Sequence, residues 1–411
     1  MSIRGNYALP KFKGHGDAPP KVLIVVEASG GGSGRHVIEL VDGLAAIGCD
    51  VHLLYSELRI DATFRAALGT MQGVHLKSVP MRREPHWSDI GCALEIRRYM
   101  NEHGKFDVVH AHSSKAGVLA RIAAVGTGAA RIYTPHAMRT MDPTLHPALH
   151  EFYRVIEVAL ARMVSEGIIA VSEHEREHVI AQGVPSAITC TVVNGIPVVA
   201  PFDRAAIRAG LGIAPDEICL GFIGRMVPQK APERFVTALA AVAGRFPSVR
   251  GVMLGTGPLE AAVHQVAREA GVEERIVWVT DQPGPAVLPA YDMLVMPSLY
   301  EGMPYVLLEA LAVGVPIVAT DIGGAIEAID DGVTGFIVPQ NDGDALIARI
   351  AALIGDEALR QSMSAASLRK SADMSIARMV EQTLQVYQAG VRARQQHDHR
   401  LPVGLDPKRA G

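Results

Sequence analysis

The feature that most constrains this chain is an alternation running almost its whole length. Short apolar runs rich in β-branched residues are each followed by a segment of helical character. Lys21–Val26 (KVLIVV) is the first such run. It is too short for a helix and lacks polar alternation, which is the form of a parallel strand buried on both faces. Similar runs are read at Asp50–Tyr55, Val74–Val79, Asp107–His112, Arg131–Thr134 and Ile168–Val171, and Thr191–Pro197, with Asn-Gly and Pro marking a turn, closes the first half. The pattern restarts at Cys219–Ile223 and returns at Val252–Leu254, Arg275–Thr280, Asp292–Met296, Pro316–Thr320 and Gly335–Pro339. Helices are expected at Asp89–Glu102, at Pro147–Met163 (Leu149, Phe152, Tyr153, Ile156 and Leu160 on one apolar face), and over 342–355, 357–372 and 375–391. Strands alternating with helices make βαβ units and an α/β fold, and 411 residues are enough for two such domains.

Composition narrows the class. Hydrophobic residues at 49% and charged residues at 20% describe a soluble globular chain. A formal net charge of -4 speaks against a general nucleic-acid binder. The 4 cysteines (Cys49, Cys92, Cys190, Cys219) show no C-x-x-C spacing and read as reduced thiols of a cytoplasmic protein. No run approaches the ~18 apolar residues of a membrane span. Residues 1–20 are polar and rich in Gly and Pro, a flexible segment without the apolar core of a signal peptide. The stretch 392–411 lacks apolar periodicity and reads as a disordered tail.

Chemistry concentrates in Ser298–Glu309 (SLYEGMPYVLLE). Pro304 near the start and Gly314 past the end bracket a helix. Val306, Leu307, Leu308, Leu311 and Val313 make it largely buried, so Glu309 needs partners: an unpaired buried carboxylate costs several kcal/mol. Two carboxylates at a buried helix N-terminus suit a ligand with hydroxyls on one side and anionic phosphate on the amides. A nucleotide sugar fits. Upstream, Gly224-Arg225 and Lys230 follow a strand and precede a helix from Pro232, and two cations there suit a diphosphate. A glycine loop, Gly30–Gly34, joins the first strand to a helix carrying Val37, Leu40, Val41 and Leu44. It contains neither G-x-G-x-x-G nor G-K-[ST]. His110, His112 and His136 fall at strand ends, where α/β folds bind ligands. A metal centre from these three is the alternative, although no acidic residue sits at ligand spacing. His15, His52, His86 and His397 read as structural.

Glu301 and Glu309 have seven residues between them, and Glu301 lies in Pro-Ser-x-x-Glu-Gly-x-Pro. Glu-Ala-x-Ala-x-Gly-x-Pro-Ile-Val-Ala-Thr, Gly323-Gly324 and Asp331–Val338 (DGVTGFIV) follow in order. Together they resemble the retaining glycosyltransferases of family 4, of the bacterial surface and exopolysaccharide type, over residues 21 to 390. The resemblance implies the GT-B arrangement of two doubly wound Rossmann-like domains with parallel sheets facing across a cleft. It puts an acceptor-side domain at 21–194, with helix 375–391 crossing back to it, and a nucleotide-sugar domain at 195–374, joined by a linker from Asn194 to Asp203.

By the same resemblance, Arg225 and Lys230 hold the diphosphate with the amides of Gly302, Met303 and Tyr305. Glu309 binds the ribose and Glu301 the donor sugar. Gly32, Gly34, Gly255 and Thr280 contribute to the donor side. His136, after Thr-Pro, contacts the transferred sugar, and His112, Ser113, Ser114 and Lys115 line the acceptor side. One departure stands out: Ala231 occupies a position where a glycine usually follows the lysine. The resemblance implies no metal or other cofactor, a UDP- or GDP-sugar donor, and a saccharide or lipid-linked oligosaccharide acceptor at the inner face of the cytoplasmic membrane. A nucleotide-sugar epimerase and a catalytically silent sugar-nucleotide-binding scaffold are the competing readings. Arg82, Arg83, Arg97 and Arg98, offset by Glu84, Asp89, Glu95 and Glu102, suit either docking on anionic lipid or a solvated face.

Overall fold

The computed structural model describes residues 19–396. The expected flexible segment 1–20 falls almost entirely outside the described residues, as does the expected tail beyond Gln396. The chain divides into two compact units, one formed by the chain up to Pro197 together with Ser375 onward, the other by Val198–Met374.

The first unit is built on a parallel sheet of seven strands: β1 (Lys21–Val26), β2 (Asp50–Tyr55), β3 (Val74–Ser78), β4 (Val108–His112), β5 (Ala130–Thr134), β6 (Gly167–Ala170) and β7 (Thr189–Thr191). Their spatial order is β3-β2-β1-β4-β5-β6-β7. Val22, Ile24 and Val26 enter one apolar cluster and Leu23 and Val25 another. Both faces of β1 are therefore covered, which is why its sequence is an unbroken apolar run. The order reverses between β1 and β4, and such a switch point opens a crevice at the carboxyl ends of those strands.

The second unit repeats the plan with six parallel strands: β8 (Ile218–Ile223), β9 (Val249–Leu254), β10 (Ile276–Val279), β11 (Met293–Met296), β12 (Ile317–Thr320) and β13 (Gly335–Val338). The order is β10-β9-β8-β11-β12-β13, with the switch between β8 and β11. These are two doubly wound Rossmann-like units, the α/β class expected.

Three sequence expectations need correction. The glycine stretch is less a loop than a helix start, since the helix runs Gly31–Ala46 and takes Gly32 and Gly34 into its first turn. A Cβ at Gly34 would lie 2.9 Å from the Ser29 carbonyl carbon, so close packing of helix on loop accounts for that glycine. Second, the helix Pro147–Val164 buries only part of the expected face: Leu160 is buried, but Leu149 and Phe152 are each 49% exposed, and Glu157 and Ala161 are buried in their place. Glu157 is drawn inward by Arg121 Nη2 at 2.7 Å and by the Tyr133 hydroxyl at 3.0 Å. Third, residues 392–396 are helical, because the last helix spans Ile376–Gln396. Ala393 is buried there and Arg394 Nη1 lies 3.6 Å from Glu166 Oε1, anchoring a segment whose polar sequence suggested none.

Candidate functional site

In the first unit, the carboxyl ends of β4 and β5 deliver His112 and His136 to one place. Their rings stack at 5.3 Å between centroids, and His112 Nδ1 lies 3.0 Å from His136 Nε2. A third ring, His36 from the helix Gly31–Ala46, lies 4.7 Å from His136. His36 Nδ1–H donates to Asn194 Oδ1 at 2.9 Å. Burial holds His36 down to about 4, the Asn194 bond acting in the opposite sense. Burial likewise keeps His110, His112 and His136 well below the usual imidazole range, with neighbouring rings adding to it. All four rings are thus neutral at physiological pH and offer lone pairs and N–H donors, not charge.

His110 is structural. Its Nδ1 meets the Tyr387 hydroxyl at 2.7 Å and its Nε2 meets Thr134 Oγ1 at 2.8 Å, so both ring nitrogens are occupied. Ligand nitrogens of His36, His112 and His136 lie within 4.8 Å of one another, which puts His36 where the sequence suggested His110. His112 Nε2 is buried without a hydrogen-bond partner.

The backbone here is strained. His136 and Ala137 have φ of 58 and 70, and Ser113 has φ 72. Left-handed conformations cost non-glycine residues roughly 1–2 kcal/mol each, and such strain persists only when the surroundings enforce it. Glu175 does so. Its Oε1 accepts from Ala137 N at 2.7 Å and Met138 N at 3.2 Å, while Oε2 accepts from Val171 N at 2.9 Å. Burial pushes the Glu175 carboxyl up to about 7 against these three donors. Ser113 Oγ donates to Glu27 Oε2 at 3.4 Å, and Ser114 opens the helix Ser114–Ala123. The Lys115 ammonium is committed to Asp89 Oδ2 and to the Glu84 carbonyl.

In the second unit, the loops after β8, β9, β10 and β11 gather the remaining residues at the carboxyl edge. Arg225, exposed, and Lys230 follow β8. Gly255 follows β9 with φ 138, and a Cβ there would sit 2.0 Å from the Gly224 carbonyl oxygen, so only glycine lets these two loops touch. Thr280, exposed, follows β10. After β11, Gly302 and Met303 are buried ahead of the helix Tyr305–Ala312, whose residues through Leu311 are all buried.

Lys230 Nζ lies 2.5 Å from Glu301 Oε1, and Gln229 Nε2 donates to the Tyr300 carbonyl at 3.0 Å and to Glu301 Oε2 at 3.4 Å. Leu299 N donates to the Gln229 carbonyl at 2.8 Å, tying the two loops by backbone as well. Glu309 Oε2 faces Gly284, at the start of the short helix after β10, where an added Cβ would sit 3.6 Å away. The structure therefore joins Lys230 to Glu301 and aims Glu309 toward the β10 loop. His36, Asn194, Glu175 and Gln229 were missed in the sequence because their partners lie far along the chain, Asn194 158 residues from His36.

Two family models match the chain: Glycosyltransferase Family 4 over residues 30–199, and Glycosyl transferases group 1 over residues 203–370. A D-inositol 3-phosphate glycosyltransferase of Actinosynnema mirum is 30% identical over 310 residues, covering 70% of this chain and 73% of the relative. A UDP-Gal:alpha-D-GlcNAc-diphosphoundecaprenol alpha-1,3-galactosyltransferase of Escherichia coli is 28% identical over 271 residues, covering 62% and 68%. Among solved structures, Anabaena HepE in complex with UDP-glucose is similar in fold, with a TM-score of 0.77 at 20% identity, covering 90% of this chain and 99% of that one.

Proposed function

The chain belongs to the glycosyltransferases that join a family 4 domain to a group 1 domain on the two Rossmann-like units of the GT-B fold, and from that premise we propose a donor, an acceptor and a stereochemical course. The donor is a UDP- or GDP-sugar. The acceptor is a lipid-linked saccharide of bacterial polysaccharide synthesis, and the transfer retains anomeric configuration. The observation that carries this reading is the grouping of Arg225, Lys230, Glu301 and Glu309 around the β8–β11 switch point.

In this reading Arg225, Lys230 and the amides of Gly302, Met303 and Tyr305 hold the diphosphate and stabilise the charge it gains on leaving. Glu309 takes the ribose hydroxyls, Glu301 the hydroxyls of the donor sugar, and Gly255 and Thr280 line the nucleotide. From the first unit come His136 for the transferred sugar, Gly32 and Gly34 at the helix start, and His112, Ser113 and Ser114 for the acceptor. The carbon–oxygen bond to the phosphate breaks with its electron pair on the nucleoside diphosphate. The acceptor hydroxyl forms the new bond on the same face, and its proton passes to the departing phosphate oxygen. No covalent glycosyl-enzyme forms, consistent with a Glu301 already paired with Lys230. Arg225 and Lys230 supply the positive charge the leaving group needs, so the reading assigns no cofactor.

Membrane contact is part of the proposal. Trp87 is 81% exposed and Ile90 72%, at the start of the helix Asp89–Glu102, with Arg82, Arg83 and Arg98 nearby in sequence. Exposed aromatic and aliphatic residues beside basic ones suit an anionic bilayer surface.

The donor assignment is tested by thermal shift with UDP, GDP, ADP and their common sugars on wild type and Glu309→Ala. A ligand at 100 times its dissociation constant adds about 2.7 kcal/mol of stability. The expected result is a shift with one nucleotide family that disappears in the variant. No shift with any nucleotide overturns the donor reading.

A further inference from the structure

At the opposite edge of the first unit's sheet lies a second group of ligating side chains that the transfer reaction does not use. Asp50 and His52 sit at alternate positions of β2, hence on one face. The register pairs His52 with His75 of β3, which brings a second imidazole to that face. Asp50 and Val74 begin their strands, so the group lies at the amino ends, away from the carboxyl ends that carry His112 and His136.

The distances decide what the group is. Asp50 Oδ1 lies 3.3 Å from His52 Nε2 and 3.6 Å from His75 Nε2, and all three ligand atoms fall within 4.8 Å of one another. A tetrahedral zinc ion holds nitrogen and oxygen ligands at about 2.0–2.2 Å, which separates neighbouring ligand atoms by roughly 3.3–3.5 Å. Two of the three spacings already sit near that value. His52 Nε2 is moreover buried without a hydrogen-bond partner, on a side chain 2% exposed.

We infer that Asp50, His52 and His75 form a binding site for a zinc-like divalent cation that clips edge strand β3 to β2. The surroundings are those of a metal ligand set. His52 Nδ1 lies 2.8 Å from the Tyr99 hydroxyl, and an Nδ1–H donated there leaves the Nε2 lone pair facing Asp50 and His75. Lys21 Nζ, 3.2 Å from Asp50 Oδ2, occupies the other carboxylate oxygen and orients Oδ1 inward. Two imidazoles and one carboxylate oxygen select a borderline first-row ion over calcium or magnesium. Asp50 at 44% and His75 at 60% side-chain exposure leave an entry path and a fourth position for water.

The test uses the full chain stripped with a chelator, titrated with zinc chloride by calorimetry and with cobalt(II) by visible absorption. His75→Ala and Asp50→Asn alter exposed positions, and far-UV circular dichroism checks that both fold. Wild type should bind one zinc ion that each variant binds about 100-fold or more weakly, with the tetrahedral cobalt bands lost in both. Tyr99→Phe should weaken binding about 10-fold through the His52 tautomer. Zinc bound equally by wild type and both variants would place the ion elsewhere, for example at His36, His112 and His136, and overturn the proposal. So would the absence of binding in wild type.

Discussion

Ala231 shows at a single residue how a departure in sequence becomes a cost in energy. It sits between Lys230 and the helix Pro232–Ala243 with φ 45 and ψ 53, in the left-handed region. A side chain there costs roughly 1–2 kcal/mol that glycine avoids, partly offset by glycine's greater loss of freedom on folding. Ala231→Gly is expected to raise stability by about 0.5–1 kcal/mol in denaturant unfolding, with donor affinity unchanged because both cations stay in place. A lower stability would mean that the buried methyl group outweighs the strain.

The buried histidines make a second prediction at this scale. His36 titrates near 4 in the folded chain, below the ~6.5 of an unfolded histidine. Its contribution is complete above about pH 6.5 and is lost as pH falls through the folded value, because the unfolded chain takes up protons first. For His36 alone the loss at pH 5 is about 2 kcal/mol, and His110, His112 and His136 shift in the same direction. Unfolding free energies measured between pH 7.5 and 5 should therefore fall toward acid. Glu175, pushed up to about 7, works in the opposite sense over the same window, so a flat profile would show that the four rings together contribute no more than this one carboxyl.

At the scale of elements, the strands were legible and several tertiary partnerships were not. A run such as Val22–Val26 declares itself because both of its faces are covered, and local composition records that. The carboxylates Glu301 and Glu309 were legible for a related reason, being charges in an otherwise apolar stretch. The helix Pro147–Val164 misled because Leu149 and Phe152 of its apolar stripe are exposed, while a buried Glu157 pairs with Arg121 from another helix. No local pattern announces such a pair.

The loop after β5 is the sharpest instance. Its two left-handed residues are held by Glu175, 38 residues from Ala137. Glu175→Ala would leave three backbone N–H groups without their acceptor, at about 1–3 kcal/mol for each that stays buried. The expected outcome is a loss of roughly 3 kcal/mol of stability. If His136 contacts the transferred sugar, kcat should also fall by more than KM rises, since the loop no longer holds the ring in place. An unchanged kcat in a folded variant would separate the loop from the reaction.

At the scale of the molecule, chain order and unit membership disagree, and this has a consequence for folding. The unit made from the first half of the chain is completed by the last helix, whereas Val198–Met374 is continuous. Met379, Val380, Leu384, Val386, Tyr387 and Ala389 of that helix all belong to the core that covers one face of the first sheet. Tyr387 caps His110 and Arg394 reaches Glu166, so polar contacts fix the helix as well. Burying a large apolar side chain contributes about 1.5–3 kcal/mol. Five such residues therefore supply on the order of 10 kcal/mol, comparable to the whole stability of a domain. A chain ending at Met374 should accordingly leave the first unit without cooperative unfolding while the second keeps its own transition. A fragment of residues 198–374 should melt cooperatively alone. Calorimetry of both fragments checks this. Two intact transitions in the shortened chain would mean that the first sheet closes its core without the helix, and that the helix is needed for something other than folding.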